Sequence, residues 1–166
     1  MSAADAVTRE AVNAGFVAEQ VTRSGGFELP CSAETAFPFF SPEAERRWVD
    51  GWDPQPVFPA ARDVAFATNA VFRLEMGGER SVWVVLNVDR SSRVAEYVYV
   101  VADSRVARVR VEVAEAGAQR SAVAVSYTIT ALSEPGKEFV RQFTEEAYAE
   151  KMRDWQKRIR EAMARS

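Results

Sequence analysis

The feature that most constrains this chain is a change of period. A series of runs alternating at every second residue gives way, near the C-terminal end, to one long stretch with helical spacing. Over residues 136–166, Phe139, Phe143, Tyr148, Met152, Trp155, Ile159 and Met163 recur at intervals of three to five. That spacing lays one apolar stripe along a helix, opposite a charged face. A stripe so rich in aromatic side chains needs a broad apolar surface to cover it, and a curved antiparallel sheet presents one. A sheet that wraps a long helix can also leave a cavity between the two layers. The expectation is an α+β fold with a ligand-holding interior.

The strand-like runs occupy residues 71–76, 81–88, 94–101, 105–113 and 121–132. Gly77-Gly78, residues 89–92, Asp103-Ser104 and Gly117 supply the turns between them, and connections this short join antiparallel neighbours. The runs are therefore expected to form a meander. Ala107, Val109, Val111 and Val113 alternate with Arg108, Arg110 and Glu112, so the apolar set faces inward. Val123, Val125, Tyr127 and Ile129 form the same kind of layer. In residues 94–101, Tyr97, Tyr99 and Val101 are turned inward because the opposite face carries Glu96, a costly group to bury. In residues 81–88, Trp83, Val85 and Asn87 compete with Val82, Val84 and Leu86, and periodicity does not choose.

Upstream, Phe27-Glu28-Leu29 reads as a short first strand ended by Pro30. Ser32 stands where a helix N-cap belongs for residues 33–40, and Ser41-Pro42-Glu43 offers a second start for residues 42–48. Residues 50–67 contain Pro54, Pro56 and Pro59 and read as loop, since proline removes ladder donors. Residues 3–21 place Val7, Ala11, Ala14, Ala18 and Val21 at helical spacing, followed by Ser24-Gly25-Gly26 as a flexible joint. The expected organisation is an N-terminal helical arm of residues 1–25 and a folded domain of residues 26–166.

Composition narrows the chemistry. At 166 residues, one domain can bury roughly 70% of the surface its unfolded chain exposes. There is no histidine, so Ser/His and Cys/His nucleophile pairs and imidazole metal ligands are excluded. Proton transfer is left to Asp, Glu, Tyr, Lys and Arg. Cys31 is alone, which excludes an internal disulfide and a thiolate cluster and points to a structural role. With 21 basic and 24 acidic residues and a net charge of −3, no broad basic field exists for nucleic acid. No apolar run approaches the ~20 residues of a membrane span. The first twenty residues carry Asp5, Glu10 and Glu19 without the pattern of a secretory signal, so a cytoplasmic location is the default expectation. No motif calls for a cofactor or a metal. Asp154 with Arg158 and Glu161 with Arg165 stand four apart on the helical stretch and read as a solvated face. Oligomeric state is not legible here.

A strand, two short helices, a meander and a long closing helix follow the order of the helix-grip fold, and the chain resembles the START-like (SRPBCC) superfamily over roughly residues 26–164. The resemblance is carried by Phe27-Glu28-Leu29-Pro30, residues 33–40, Glu45-Arg46-Arg47-Trp48-Val49 with Gly51-Trp52-Asp53-Pro54, Val82-Trp83-Val84-Val85 and Glu96-Tyr97. The string from Glu45 to Pro54 is its most specific piece and looks like bacterial members described as uncharacterised or polyketide cyclase/dehydrase-like. The same string admits a plainer role, with Trp48 and Trp52 plugging one end of the core and Arg46 or Arg47 paired to a carboxylate. The resemblance implies a hydrophobic cavity between sheet and helix, used by relatives to carry lipids, bind sterols or hormones, or fold polyketide chains. No catalytic motif of the characterised cyclases matches residue by residue.

The expected lining is Trp83, Tyr97, Tyr99, Val109, Val111 and Tyr127 from the sheet, with Phe143, Met152 and Trp155 from the helix. The same side chains could instead fill the interior completely. The leading expectation for function is binding of a small hydrophobic molecule, whether lipid, aromatic or polyketide-like. The first alternative is a cyclase or dehydratase in which Tyr97 or Tyr99 gives or takes a proton. The second is a protein-interaction module that uses the N-terminal arm.

Overall fold

Alternation places apolar side chains on one face of each strand, and each hairpin closes where the sequence offers a residue able to turn. The computed structural model describes residues 15–166. Its strands are β1 (Gln20–Leu29), β2 (Gln55–Phe58), β3 (Val71–Met76), β4 (Glu79–Asp89), β5 (Val94–Val101), β6 (Arg105–Gly117) and β7 (Arg120–Ala131). They form one seven-stranded sheet in the order β1-β7-β6-β5-β4-β3-β2. From β3 to β7 consecutive strands pair antiparallel, which is the expected meander. Gly77 and Gly78 turn the β3–β4 hairpin at φ 60° and 80°, a region that glycine enters without steric cost.

The expected inward faces are buried: Tyr97 and Tyr99 on β5, Ala107 to Val113 at alternate positions on β6, and Val123 to Ile129 on β7. In β4 the register shifts between Val85 and Asn87. Before the bulge Trp83 and Val85 point inward while Val82 and Leu86 face solvent; after it the phase changes, so Asn87 is exposed and Val88 packs against the core. No single alternation could have fitted that run.

Three corrections concern the ends of the sheet and the closing helix. First, Ser24-Gly25-Gly26 is not a joint. It lies inside β1, which pairs with β7 continuously from Gln20 opposite Thr130 to Leu29 opposite Ser121. The glycines are there for closeness: a Cβ on Gly26 would stand 2.0 Å from the Val123 carbonyl oxygen, and one on Gly25 would stand 3.1 Å from the Tyr148 ring. A boundary after residue 25 would thus cut a strand. Most of the helix expected over residues 3–21 lies outside the described residues, and its last residues, from Gln20, are strand. Second, the proline-rich segment contains β2. The strand sits at the sheet edge, where the missing proline N–H takes nothing from the ladder.

Third, the closing helix is two helices, α2 (Glu134–Gln142) and α3 (Glu145–Ala164), which follow the short α1 (Ala33–Ala36) in the chain. Phe143 breaks the run with φ −81° and ψ 63°, and its carbonyl accepts from Arg23 Nε at 3.0 Å. Thr144 then caps α3 by accepting from the Ala147 N–H, with Glu145 and Glu146 in the first turn. A strong start signal inside a periodic stretch has restarted the helix. The break is as much a matter of Thr144 as of Phe143.

The early segment follows its capping signals. Ser32 accepts from Thr35 N and starts α1, which runs into a 3₁₀ turn at Phe37–Phe40. Ser41 Oγ accepts from Ala44 N at 3.2 Å and starts a second 3₁₀ turn at Ala44–Arg47. The core lies between the sheet and α3, whose Tyr148, Met152, Ile159 and Ala162 are buried. Each of the three large ones contributes about 1.5–3 kcal/mol by leaving water. Tyr148 also donates its phenol proton to the Val125 carbonyl. Outside, Arg158 pairs with Asp154 at 2.8 Å, whereas Arg165 bonds the Arg47 carbonyl at 3.0 Å instead of meeting Glu161.

Candidate functional site

Side-chain size is graded across the inner face of the sheet. One cross-strand row runs Phe72, Trp83, Tyr99, Ala107, Ile129, and the next runs Val85, Tyr97, Val109, Tyr127. The third, Ala95, Val111, Val125, Gly25, holds only small groups and glycine. Helix α3 packs closely where the residues are small and stands off where the rings are large. A cavity of about 160 Å³ remains on the aromatic side, close in size to an apolar cavity of about 150 Å³ that holds benzene.

Its walls are braced by ring contacts. Trp83 stacks on Tyr99 at 4.5 Å and on Phe72 at 5.6 Å between centroids, and Trp52 meets it edge-on at 5.3 Å. From α3, Trp155 contacts Tyr127 at 6.3 Å. Such pairs, each worth about 0.5–1.5 kcal/mol beyond burial, fix the wall as well as greasing it.

Of the residues expected in the lining, Trp83, Tyr97, Tyr99, Val109, Val111, Tyr127 and Trp155 border the cavity. Two do not. Phe143 sits in the break before α3, against Tyr127 and Tyr148. Met152 faces β1, where a Cβ on Gly25 would lie 3.7 Å from its Cγ. The restarted helix carries both away from the phase that an unbroken one would give them.

The polar groups of the cavity were not anticipated. Glu45 projects from the second 3₁₀ turn, and Lys151 from α3. The turn is pinned by two indoles: Trp48 Nε1 donates to the Phe39 carbonyl and Trp52 Nε1 to the Pro42 carbonyl, both at 2.8 Å. Arg46 leaves the cavity to pair with Glu43 and Asp53. Lys151 Nζ stands over the rings of Tyr127 and Trp155, at 5.4 and 5.5 Å from their centroids. Among the described residues, neither the Glu45 carboxyl nor the Lys151 amine has a hydrogen bond or an ion pair. Burial pushes the Glu45 carboxyl well above the ordinary carboxylate range, with Lys151 opposing. Burial also lowers the Lys151 amine, against the pull of Glu45 and Asp154.

Arg105 and Glu79 occupy another part of the wall and pair through the two terminal guanidinium nitrogens, while the buried Arg105 Nε has no partner among the described residues. The guanidinium is 5% exposed at the residue level, donates to Glu79 at 2.9 and 2.7 Å, and lies 3.6 Å over the Phe139 ring. Tyr97 is likewise committed, donating to the Phe40 carbonyl at 2.6 Å, and burial holds its phenol well above the usual range. It is a poor base. Tyr127, also raised by burial, has no protein hydrogen bond among the described residues. No cluster of three or more metal-ligating side chains occurs among the described residues, and no described helix is long and apolar enough to cross a membrane.

A sheet wrapped around a long helix with the cavity between them has solved counterparts. Norcoclaurine synthase from Thalictrum flavum, a point mutant in complex with a transition-state analogue, is 12% identical, with 86% of this chain and 95% of that one covered at a TM-score of 0.61. The fold is the Bet v 1-like helix-grip fold. Within it, an uncharacterised protein from Rhizobium leguminosarum is 14% identical over 90% of this chain and 98% of that one, at a TM-score of 0.63. Ara h 8.0201 is 10% identical over 84% and 96%, at 0.58. No family model matches the chain, and no curated protein matches it. At these identities the shared property is the helix-grip architecture, and function must be argued from the site.

Proposed function

We propose that this protein binds a small aromatic molecule in the cavity between the sheet and α3. The observation that carries the reading is a chamber of about 160 Å³ with rings on facing walls, in which the Glu45 carboxyl, the Lys151 amine and the Tyr127 hydroxyl have no protein partner among the described residues. That volume lies below the roughly 300–1,000 Å³ of drug-sized pockets, so a single ring suits it better than a lipid or a polyketide chain. A structure of the Thalictrum flavum norcoclaurine synthase holds dopamine and hydroxybenzaldehyde, and each has one ring. We further propose that the chain belongs with the bacterial START-like proteins, a reading supported at the level of fold by its likeness to the uncharacterised Rhizobium leguminosarum protein. A cyclase acting through Tyr97 has less support, because that phenol is tied to the Phe40 carbonyl.

The test is native mass spectrometry of the purified chain, with organic extraction of whatever leaves it, followed by calorimetric titration with toluene. A bound aromatic metabolite, or saturable uptake of toluene by the empty protein, is the expected result. An empty chain that takes up no toluene overturns the reading and indicates a filled core.

A further inference from the structure

The unpaired carboxyl of Glu45 and amine of Lys151 are not interchangeable decoration on an apolar wall. Arg105 and Glu79 cancel each other through two hydrogen bonds, so their charges are already spent. Glu45 and Lys151 reach the cavity from two different elements, the second 3₁₀ turn and α3, and neither finds a partner among the described residues. Both side chains are half-buried in a largely aromatic chamber, where a ligand can supply the hydrogen bonds the protein does not. In apolar surroundings a carboxyl keeps its proton and becomes a hydrogen-bond donor. An amine over two ring faces is favoured as the ammonium, which only donates. Two donors facing one chamber are matched by a group made only of acceptors.

Resting on the aromatic-binding reading above, we propose that the ligand is a single-ring aromatic carboxylate whose two oxygens accept from the Glu45 carboxyl and the Lys151 ammonium. The charge balance is consistent: an anion and an ammonium meet, and the neutral acid completes the site. A neutral amide would turn an N–H toward a donor, and an amidinium would set a second cation beside Lys151. The other groups around Glu45 do not alter this balance. Lys151 and Asp154 come from α3, and the un-ionised phenols of Tyr97 and Tyr127 come from β5 and β7. Arg46 and Arg47 of its own turn point outward, to Glu43 and Asp53 and to Ser166.

Benzoate, benzamide and benzamidine share a shape and differ in charge, so isothermal titration of the full chain with all three tests the assignment. Benzoate should bind roughly tenfold or more tighter than benzamide, and benzamidine weakest. Benzoate affinity should fall by up to about tenfold per pH unit once the pH exceeds the raised Glu45 value. Lys151→Met should bring benzoate down to the level of benzamide in the same variant. Glu45→Gln, which keeps a donor, should flatten the pH slope. Equal affinity for benzoate and benzamide overturns the carboxylate assignment and leaves aromatic binding standing. Benzoate binding untouched by Lys151→Met overturns it as well. If toluene and all three probes fail, both the assignment and the reading beneath it fall.

Discussion

Tyr97 and Tyr127 belong to one cross-strand row, separated by Val109, and differ in what their hydroxyls do. The Tyr97 hydroxyl donates to the Phe40 carbonyl at 2.6 Å, and Phe40 is fully buried. Tyr97→Phe deletes that bond and leaves the carbonyl without its donor, which costs about 1–3 kcal/mol. For a chain of this length each kcal/mol moves the melting temperature by about 2–4 °C, giving a drop of roughly 2–12 °C. The Tyr127 hydroxyl has no protein partner among the described residues. Tyr127→Phe should therefore stay within about ±0.5 kcal/mol of the parent, the usual span of a change that breaks nothing. Urea titration followed by far-ultraviolet circular dichroism measures both, with an unchanged slope against denaturant as the control. Equal cost in the two variants, or a larger one for Tyr127→Phe, would refute the division into a structural phenol and a cavity phenol.

Gly26→Ala places a Cβ 2.0 Å from the Val123 carbonyl oxygen, so it should cost about 3 kcal/mol or more; a melting curve like the parent's would contradict the close approach of β1 to β7. Folding raises the Glu45 carboxyl, so the stability this confers is present below the ordinary carboxylate range and lost as pH rises through the raised value. Relative to the parent, Glu45→Gln should gain stability as pH rises from the ordinary carboxylate range through the raised Glu45 value, and a constant difference in urea midpoints would falsify the shift. Asp89 accepts from Ser91 and Ser92, which hold its carboxyl down to about 2. Its contribution should be present above the ordinary aspartate range and lost as pH falls through about 2, and an ordinary midpoint in a carboxyl NMR titration would contradict the turn.

The strands from β5 to β7 were legible because each carries its apolar side chains on a single face, and the whole run from β3 because turns of two to four residues leave little choice of partner. That legibility failed where one residue had two possible physical meanings. Gly25 and Gly26 read as flexibility, yet they stand where Tyr148 and the Val123 carbonyl leave no room for a Cβ. The prolines of residues 54–59 argued against any strand, a rule that relaxes at the edge position β2 occupies. Phe143 and Met152 fit an unbroken helix, and Thr144 reset its phase. Glu45 and Lys151 were passed over because charge was equated with solvent. A signal did exist for Lys151: it is three residues after Tyr148 and four before Trp155, on the apolar stripe and not opposite it. Glu45 stands three before Trp48, the eclipsed position in a 3₁₀ turn, but nothing in the sequence assigned that turn to the cavity wall.

The ring contacts that brace the cavity have an optical consequence. The four tryptophans form two edge-on pairs, Trp48 with Trp155 at 5.2 Å and Trp52 with Trp83 at 5.3 Å. Trp52, Trp83 and Trp155 border the cavity, and Trp48 touches one of them. Every indole in the chain is thus coupled to the space that a ligand would fill, and none serves as a bystander. Intrinsic emission and the exciton signal of the paired indoles make the protein its own reporter, able to register an occupant without any attached dye.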